Sequence, residues 1–449
     1  MKNKPYPKYK PSGVEWLGDV PEHWEVTLVK FVCRFAYGDS LPAEDREDGA
    51  YHVYGSNGAV GTHYKPNTLA PVIVVGRKGS YGKLNFSPGP IFAIDTTYFI
   101  DRRFTQNSLE WLKYSLLPLK LDIGSKDSAV PGLAREDAYV NKFPLPPLAE
   151  QQAIAAFLDR ETGRIDALIA KKERLLELLA EQRTALISES VTGKNLVAIL
   201  KINPQITQKN ADKNENHLRK SAKSADKISY KPSGVEWLGA VPEHWEALPL
   251  KRIVAIPVTD GPHETPEILD EGIPFVSAES IRNNKIDFNK KRGFISESEH
   301  RRFCLKYHPK RDDIYMIKSG ATTGNLAIVD TDEEFSIWSP LAVIRVHREK
   351  ADAIFVLAAM NSKEFQTSVQ LFWSFGTQQN IGMNVIENLL IPLPPLPEQQ
   401  AIAAFLDRET AKIDALSAKV TTMIERLQEY RTALISSAVT GKIDVRSAV

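Results

Sequence analysis

Two segments of the chain carry a seven-residue pattern of apolar side chains flanked by charged residues. About four heptads of this kind are typical of a coiled coil, so each segment predicts a long helix with one apolar seam. From Glu161 to Val191 the first helix would be about 45 Å long. The predicted seam positions are Ile165, Leu168, Leu175, Leu179 and Leu186 in the first segment, and Ile413, Leu416, Val420, Met423, Leu427, Tyr430 and Leu434 in the second.

The ends of both helices are marked by residues that stop a helix. Pro144, Pro146 and Pro147 exclude helix before Leu148, and Gly193 supplies the glycine expected just beyond a helix end. Each helix follows a globular segment, so an antiparallel pairing of the two would place those segments at opposite ends of a rod. The sequence therefore predicts a pair of antiparallel spacer helices.

The chain is an internal repeat. YKPSGVEWLG occurs at 9–18 and again at 230–239, each time followed by VPEHWE, and EQQAIAAFLDRE occurs at 150–161 and 398–409. The first pair is 221 residues apart and the second 248, so the second copy has 27 additional residues in its middle. Both helical segments then end in VTGK at the same 248-residue offset. The ends of the unit are thus constant and the middles are not.

The middles have a mixed pattern. Apolar runs at 72–75 and 341–344 predict buried strands, while 108–117 and 351–362 predict helices. The predicted fold class is α+β, with two mixed α/β domains separated by two long antiparallel coiled-coil helices in a pseudo-two-fold repeat. The predicted boundaries are 1–24 for the first box, 25–148 for the first variable domain, 149–194 for the first helix, 195–229 for a linker, 230–397 for the second box and variable domain, and 398–449 for the second helix and C-terminus.

Composition narrows the class of protein only modestly. The 449 residues have a net charge of +1 and 43% hydrophobic residues, as ordinary soluble proteins do. The linker is mildly basic and is interpreted as solvated chain. Two cysteines, with neither a signal peptide nor an apolar run of about 18 residues, predict a cytoplasmic protein without a membrane span.

Known catalytic patterns do not match the sequence. The stretch GRKGSYGKL at 76–84 fails as a phosphate-binding loop, because its glycine spacing differs and Leu84 occupies the place of the Mg²⁺-binding hydroxyl residue. His300, Cys304 and His308 could share a helical face as metal ligands, but no fourth ligand is evident, and the favoured interpretation is an amphipathic helix stopped by Pro309. We therefore expect binding rather than catalysis, with no metal and no bound cofactor.

The doubled boxes and helices resemble the specificity subunits of type I restriction-modification systems, over nearly the whole chain. The resemblance implies that each variable middle is a target recognition domain that reads one half of a split DNA sequence. It also implies that the helices form the spacer and dock two methyltransferase subunits, and that restriction subunits can join them. S-adenosylmethionine, ATP and Mg²⁺ would belong to those partners. The alternatives are a stand-alone DNA-binding protein or an orphan specificity subunit.

Reading double-stranded DNA requires paired donors and acceptors on loops that reach the groove. Unlike middles predict a non-palindromic target, with half-sites about one helical turn, roughly 34 Å, apart. The four tryptophans of the boxes, Trp16, Trp24, Trp237 and Trp245, are expected to pack against the frame. The predicted DNA-binding residues are Asn57, Arg77, Lys78, Ser80, Tyr81, Lys83, Lys126 and Ser128 in the first middle, and His263, Thr265, Thr322, Thr323, Asn325, Gln378, Gln379 and Asn380 in the second.

Overall fold

The computed structural model describes residues 4–123, 131–202, 228–375 and 379–446. The chain divides into two compact units. Unit 1 contains Met1–Arg174 and Val420–Val449, and unit 2 contains Leu175–Lys419. Each unit therefore combines the box and variable middle of one repeat with parts of both long helices.

Unit 1 is a mixed α and β domain. Its four-stranded antiparallel sheet has the order β4-β10-β7-β8, and its three-stranded sheet has the order β6-β5-β9, with β5 and β9 parallel. Two further pairs, β1-β2 and β3-β11, hold the ends of the domain. The described elements are β1 Tyr9–Pro11, β2 Asp19–Pro21, β3 Glu25–Leu28, α1 Val29–Val32, β4 Ala36–Tyr37, β5 Tyr51–Gly55, β6 Gly58–His63, β7 Val72–Gly76, β8 Leu84–Ser87, β9 Phe92–Ala93, β10 Thr97–Ile100, α2 Leu109–Ser115, α3 Arg135–Tyr139, β11 Lys142–Leu145 and α4 Leu148–Val191.

Unit 2 repeats this topology. Its four-stranded sheet has the order β15-β23-β20-β21, and its three-stranded sheet the order β19-β16-β22, again with one parallel pair. The described elements are α5 Leu196–Ile202, β12 Tyr230–Pro232, β13 Ala240–Pro242, β14 Glu246–Pro249, β15 Thr259–Asp260, β16 Ile273–Val276, β17 Ile281–Arg282, β18 Lys285–Ile286, β19 Gly293–Ile295, α6 Glu297–Cys304, β20 Ile314–Ile317, β21 Leu326–Ile328, β22 Ser336–Ile337, β23 Leu341–Ile344, α7 Ala353–Asn361, α8 Lys363–Phe372, β24 Ser374–Phe375, β25 Gln379–Asn380, α9 Met383–Asn388, β26 Leu390–Leu393 and α10 Leu396–Val439.

The additional residues of the second middle lie mainly in two connections. Sixteen residues join β16 to β19 in unit 2, whereas the corresponding connection in unit 1, from β5 to β6, has two. Eighteen residues join β19 to β20, whereas the corresponding connection from β6 to β7 has eight. The longer connections contain the small hairpin β17-β18 and helix α6, so the shared sheets are left intact.

A buried glutamate at the start of each long helix holds the N-terminal box. Glu150 accepts hydrogen bonds from Trp24 Nε1 at 3.0 Å and from Tyr6 Oη at 3.1 Å, and lies 2.6 Å from His23 Nε2. In unit 2, Glu398 accepts one from Trp245 Nε1 at 2.8 Å. A carboxylate buried in this way needs such partners, which explains why the glutamate, histidine and tryptophan recur in both repeats.

The tryptophans of the boxes divide into two classes. Trp24 and Trp245 are fully buried, as expected for residues of the frame. Trp237 is partly buried against the core of unit 2, whereas Trp16 is 46% exposed. The expectation of packing thus describes three of the four positions well and Trp16 poorly.

The glutamine after this glutamate ties the long helix to the variable domain. Gln151 accepts a hydrogen bond from the backbone N–H of Ser108 at 3.0 Å, and Ser108 in turn caps α2. Gln399 accepts one from the N–H of Asp352 at 2.9 Å, and Asp352 caps α7. These two caps explain why the predicted helices at 108–117 and 351–362 begin at those residues.

The end of each long helix packs against the box of the other repeat. In unit 1, Tyr9 Oη donates to the carbonyl oxygen of Gly441 at 3.0 Å, and Gly441 lies against Pro21 and Trp24. In unit 2, Tyr230 Oη donates to the carbonyl oxygen of Gly193 at 2.9 Å. Each frame is therefore assembled from both repeats.

The long helices are longer than the heptad pattern alone predicts. Each has 44 residues, about 66 Å at 1.5 Å per residue, and begins directly after the prolines. In unit 1, the last turns of α10 pack with the first turns of α4, and Asp166 accepts from Arg431 Nε at 2.8 Å. In unit 2 the last turns of α4 pack with the first turns of α10, and Arg183 Nε donates to Asp414 at 3.1 Å. Within each unit the two helices are antiparallel, as predicted.

The predicted seam is correct in one set of its positions and displaced by one residue in the other. Ile165, Leu179, Ile413, Val420 and Leu434 are buried, and Leu175, Leu186 and Leu427 are partly buried. Leu168, Leu416 and Met423 are instead 42%, 45% and 48% exposed, and Tyr430 is exposed as well. The residues one position later, Ile169, Ser417, Ile424 and Arg431, are the less exposed ones.

Candidate nucleic-acid interface

The glycine-rich loop of the first middle is the connection between β7 and β8. The N–H of Gly76 donates to the carbonyl oxygen of Lys83, and the N–H of Gly82 to that of Gly76, both at 2.8 Å. Gly79 and Gly82 have φ near +70°, a conformation that other residues adopt at a cost. A side chain on Gly82 would also collide with the backbone of Leu121 and Asp122. The glycines thus fix a tight, defined loop.

The structure brings the predicted loops of the first middle together. Lys83 Nζ donates to Asn57 Oδ1 at 2.7 Å, which places the β5-β6 turn beside the glycine-rich loop. On the other side, the N–H of Leu133 donates to the carbonyl oxygen of Arg77 at 2.9 Å. We call residues 54–58, 76–83 and 131–133 cluster 1. Lys126 and Ser128 lie outside the described residues.

The polar side chains of cluster 1 are mostly exposed. Asn57, Lys78, Ser80 and Lys83 are exposed, and Arg77 is half-buried. Tyr81 is half-buried and packs against the core of unit 1, so it forms the base of the loop rather than its tip. Three amines or guanidinium groups and two small polar groups suit contacts with phosphate and base edges.

The corresponding loop of the second middle connects β20 to β21. The N–H of Ile317 donates to the carbonyl oxygen of Asn325 at 2.9 Å, and that of Gly324 to Ile317 at 2.8 Å, as in cluster 1. The N–H of Ile381 donates to the carbonyl oxygen of Lys318 at 2.9 Å, and β25 passes alongside. We call residues 260–265, 318–325 and 379–381 cluster 2. The two glycine-rich loops therefore occupy the same place in the same topology.

The predicted residues of cluster 2 differ in accessibility. His263, Thr265, Thr322, Asn325 and Asn380 are exposed, and Gln379 is half-buried. Gln378 lies outside the described residues. Thr323, also a predicted DNA-binding residue, is 9% exposed, and its hydroxyl donates to the carbonyl oxygen of Gly320 at 2.7 Å. Thr323 closes the loop from within, because its hydroxyl caps a backbone group.

A buried aspartate, Asp260, links the loop at 260–265 to the β20-β21 loop of cluster 2. Asp260 is fully buried, and its carboxylate lies 2.6 Å from Lys306 Nζ, 3.0 Å from Lys318 Nζ and 3.1 Å from His263 Nε2. Burial alone would raise the pKa of Asp260, but hydrogen bonds from Lys306 and Lys318 outweigh it and lower that pKa. The carboxylate form of Asp260 is thus favoured by the two lysines beside it.

Several residues in or beside the two clusters were not found by sequence reasoning. Tyr37 on β4 is 49% exposed, and the guanidinium groups of Arg77 and Arg135 lie 5.1 and 5.2 Å from its ring centroid. Asp260, Lys306 and Lys318 form the ion cluster of unit 2. Lys318 and Asp260 each directly precede a predicted loop, whereas Tyr37 and Arg135 are distant in sequence from the loop that holds Arg77. The pairing of β4 with β10 places Tyr37 there, and helix α3 carries Arg135.

The described residues offer no metal centre. Among them, no group of three or more His, Cys, Asp or Glu side chains has an arrangement that could hold an ion. Helix α6 ends at Cys304, earlier than the predicted stop at Pro309, so His308 does not share its face. His300 is buried, and its Nδ1 lies 2.9 Å from Ser336 Oγ. The other cysteine of the sequence, Cys33 in unit 1, is buried, and this burial raises the pKa of its thiol to about 12.

A membrane span is not found among the described helices, since none combines sufficient length with sufficient apolar character.

Comparison with known proteins gives one consistent family. The family model for the type I restriction modification DNA specificity domain matches residues 21–178 and 242–426, one match in each repeat. The chain is 23% identical over 306 residues to the EcoBI specificity subunit of Escherichia coli, covering 67% of this chain and 58% of that protein. It is 23% identical over 327 residues to the MjaVIII specificity subunit of Methanocaldococcus jannaschii, covering 72% and 67%.

A solved structure shares the fold. This structure, reported for complex assembly and conformational transition of the type I R-M system, contains a chain 15% identical to this one, with a TM-score of 0.59 over 94% of this chain and 99% of the other. The match between this chain and the EcoBI specificity subunit spans little more than half of that protein's length.

Proposed function

This chain belongs to the type I restriction modification DNA specificity family, and from that premise we propose that it reads a split, non-palindromic DNA sequence through clusters 1 and 2. One observation carries the proposal. Two loops with the same backbone hydrogen bonds, in the same place of two repeated domains, carry different side chains. A shared scaffold with unlike side chains is what two readers of unlike half-sites require.

The chain supplies specificity and not catalysis, in keeping with its family and with relatives named specificity subunits. The reaction then belongs to partners. We propose that two methyltransferase subunits bind this chain and modify adenine with S-adenosylmethionine. Restriction subunits that use ATP and Mg²⁺ would join the same assembly, in the cytoplasm.

The surface for those partners is proposed from residues that are identical in both repeats although they are exposed. The frame explains why buried residues recur, but not why Gln152, Ala156, Arg160 and Ala167 recur as Gln400, Ala404, Arg408 and Ala415. On a helix that turns about 100° per residue, these four fall within about 80° of arc. Such a face, present once in each unit, fits two copies of one partner.

The DNA-reading proposal is tested by Arg77→Ala in the full chain co-purified with its methyltransferase. Loss of a guanidinium that reaches a base costs about 1–3 kcal/mol, so binding should weaken roughly ten-fold to a hundred-fold. The loss should be confined to one half-site, measured on duplexes with substitutions in each half. Arg164→Ala is the control, because Arg164 is 71% exposed on α4, away from both clusters in the sequence.

Equal relaxation at both half-sites would contradict reading by Arg77. Tight, specific binding by a chain that retains no methyltransferase through purification would favour the stand-alone DNA-binding protein instead.

A further inference from the structure

One position on the edge strand holds unlike residues in the two units. In unit 1, Tyr37 of β4 faces Tyr98 of β10, which faces Val75 of β7. In unit 2, Asp260 of β15 faces Ala342 of β23, which faces Met316 of β20. Arg77 follows Val75 by two residues and Lys318 follows Met316 by two, so Tyr37 and Asp260 occupy the same place beside the first cation of each loop.

The backbone around these two cations is the same. The N–H of Arg77 donates to Thr96 at 2.9 Å, and the N–H of Lys318 donates to Pro340 at 2.8 Å. Their carbonyl oxygens accept from Leu133 and Ile381, both at 2.9 Å. Since the main chain is held alike, the difference between the two cations comes from the residue on the edge strand.

In unit 1 the edge residue leaves the cation available. The Arg77 guanidinium lies 5.1 Å from the Tyr37 ring centroid and donates one hydrogen bond, from Nη1 to the Asp95 carbonyl oxygen at 3.0 Å. Among the described residues no carboxylate lies within ion-pair distance of Arg77. An aromatic face orients a guanidinium without neutralising it, and the remaining N–H groups stay free to donate.

In unit 2 the edge residue engages the cation. Lys318 Nζ lies 3.0 Å from the carboxylate of Asp260, and the Lys318 side chain is 16% exposed. The same carboxylate also takes Lys306 Nζ at 2.6 Å. A buried charge pair of this kind is costly to separate, so the ammonium is held away from a ligand.

We propose that Tyr37 and Asp260 are positioning residues that decide whether the first cation of each recognition loop reaches DNA: Tyr37 presents Arg77, and Asp260 withholds Lys318. The inference rests on the proposed function and adds which cations that function uses. The half-site read by cluster 1 would then depend on an Arg contact, of the kind that favours guanine. The half-site read by cluster 2 would depend on the exposed Thr322, Asn325 and Asn380.

The test compares matched variants in the full chain bound to its methyltransferase, on a duplex carrying the split motif obtained from a methylation map. Arg77→Gln should weaken binding at least ten-fold, whereas Lys318→Gln should change it less than two-fold. Asp260→Asn should release Lys318, and Lys306 with it, and should steepen the salt dependence of binding by about one to two units of slope, since each additional phosphate contact adds about 0.9. Lys318→Gln in the Asp260→Asn background should reduce that slope by about one unit.

Variants of Tyr37 keep the test valid if Asp260→Asn does not fold. Tyr37→Phe retains the ring and should bind as the parent does, while Tyr37→Asp should withhold Arg77 and reproduce the loss of Arg77→Gln at the same half-site. Equal losses for Lys318→Gln and Arg77→Gln would overturn the inference and leave the proposed function standing. Failure of the unmodified complex to prefer its motif would instead overturn the proposed function.

Discussion

At the scale of single residues, Thr322 and Thr323 show how neighbours in one loop differ in role. Thr322 is exposed, whereas the Thr323 hydroxyl donates a hydrogen bond to the carbonyl oxygen of Gly320. Thr323→Val should therefore lower the free energy of unfolding of unit 2 by about 1 kcal/mol, because one internal hydrogen bond is lost. Thr322→Val should leave stability unchanged within about 0.5 kcal/mol.

Urea unfolding of the two variants, followed by tryptophan fluorescence, makes the comparison. Equal stability of both would show that the Thr323 hydroxyl does not support the loop. The sequence identified this loop because glycine and small polar residues follow an apolar run. It could not separate the two threonines, since their difference depends on which one faces Gly320 after the loop has closed.

The same limit applied to the charged residues around the loops. Lys83 and Arg77 were found because they belong to a basic stretch. Asp260 has no such signal, as an acidic residue reads as solvated surface until a sheet buries it. Its neighbours His263, Lys306 and Lys318 come from the loop after β15, the segment after α6 and the β20-β21 loop, and the fold joins the two lysines to it.

At the scale of elements, the long helices were predicted in type, and the side that they bury was predicted in part. A seven-residue repeat fixes its period, and the shared positions Ile165, Leu179, Ile413 and Val420 are indeed buried. After each of these buried residues, the second buried position of the heptad can lie three or four residues further along the helix. The i+3 and i+4 positions lie on opposite sides of the line that joins the residues seven apart. Leucine at 168 and 416 favoured three, whereas the structure uses four.

Neighbouring leucines in α4 test this register. Leu179 is 5% exposed and Leu178 is 46% exposed. Leu179→Asp should cost about 3 kcal/mol or more, because it buries an unpaired charge and removes a core side chain. Leu178→Asp should cost less than about 0.5 kcal/mol. Thermal unfolding followed by circular dichroism at 222 nm reports both, and similar losses for the two would mean that the assigned seam is wrong.

The strands of the variable middles were predicted where they are apolar throughout. The runs at 72–75 and 341–344 became the buried strands β7 and β23. Strands of two or three residues, such as β4 and β15, were not predicted, because two residues are too few to show a period. These short strands carry Tyr37 and Asp260.

At the scale of the whole molecule, each repeat stabilises the unit that holds the other repeat's reader. Gly441 has φ +73°, and a side chain there would collide with the Pro21 ring and lie 3.1 Å from Trp24. Gly193 has φ +78° and stands in the same relation to Pro242 and Trp245. The cost of adding a methyl group should therefore appear far away in sequence.

Gly193→Ala should destabilise unit 2 by about 3 kcal/mol, through backbone strain and overpacking. Hydrogen exchange measured by mass spectrometry should show faster exchange at 230–245 than in the parent, with 9–24 unchanged. Gly441→Ala should give the reverse pattern. Gly163→Ala is the matched control, since nothing lies near that position and alanine already occupies its counterpart, Ala411. We call the packing of each helix end against the box of the other repeat the exchanged frame. Faster exchange confined to the repeat that carries the substitution would contradict it.

The exchanged frame also bears on how such a chain can change over generations. Glu150, Trp24, Gly441 and their counterparts all lie outside the stretch from the end of each VPEHW box to the start of each PLPPL motif. A recombination event with breakpoints at those two motifs replaces a whole reader and leaves these frame residues in place. The incoming domain has to offer a backbone N–H to Gln151 or Gln399, as Ser108 and Asp352 both do although their side chains differ. A change of recognised sequence is then possible in a single genetic step.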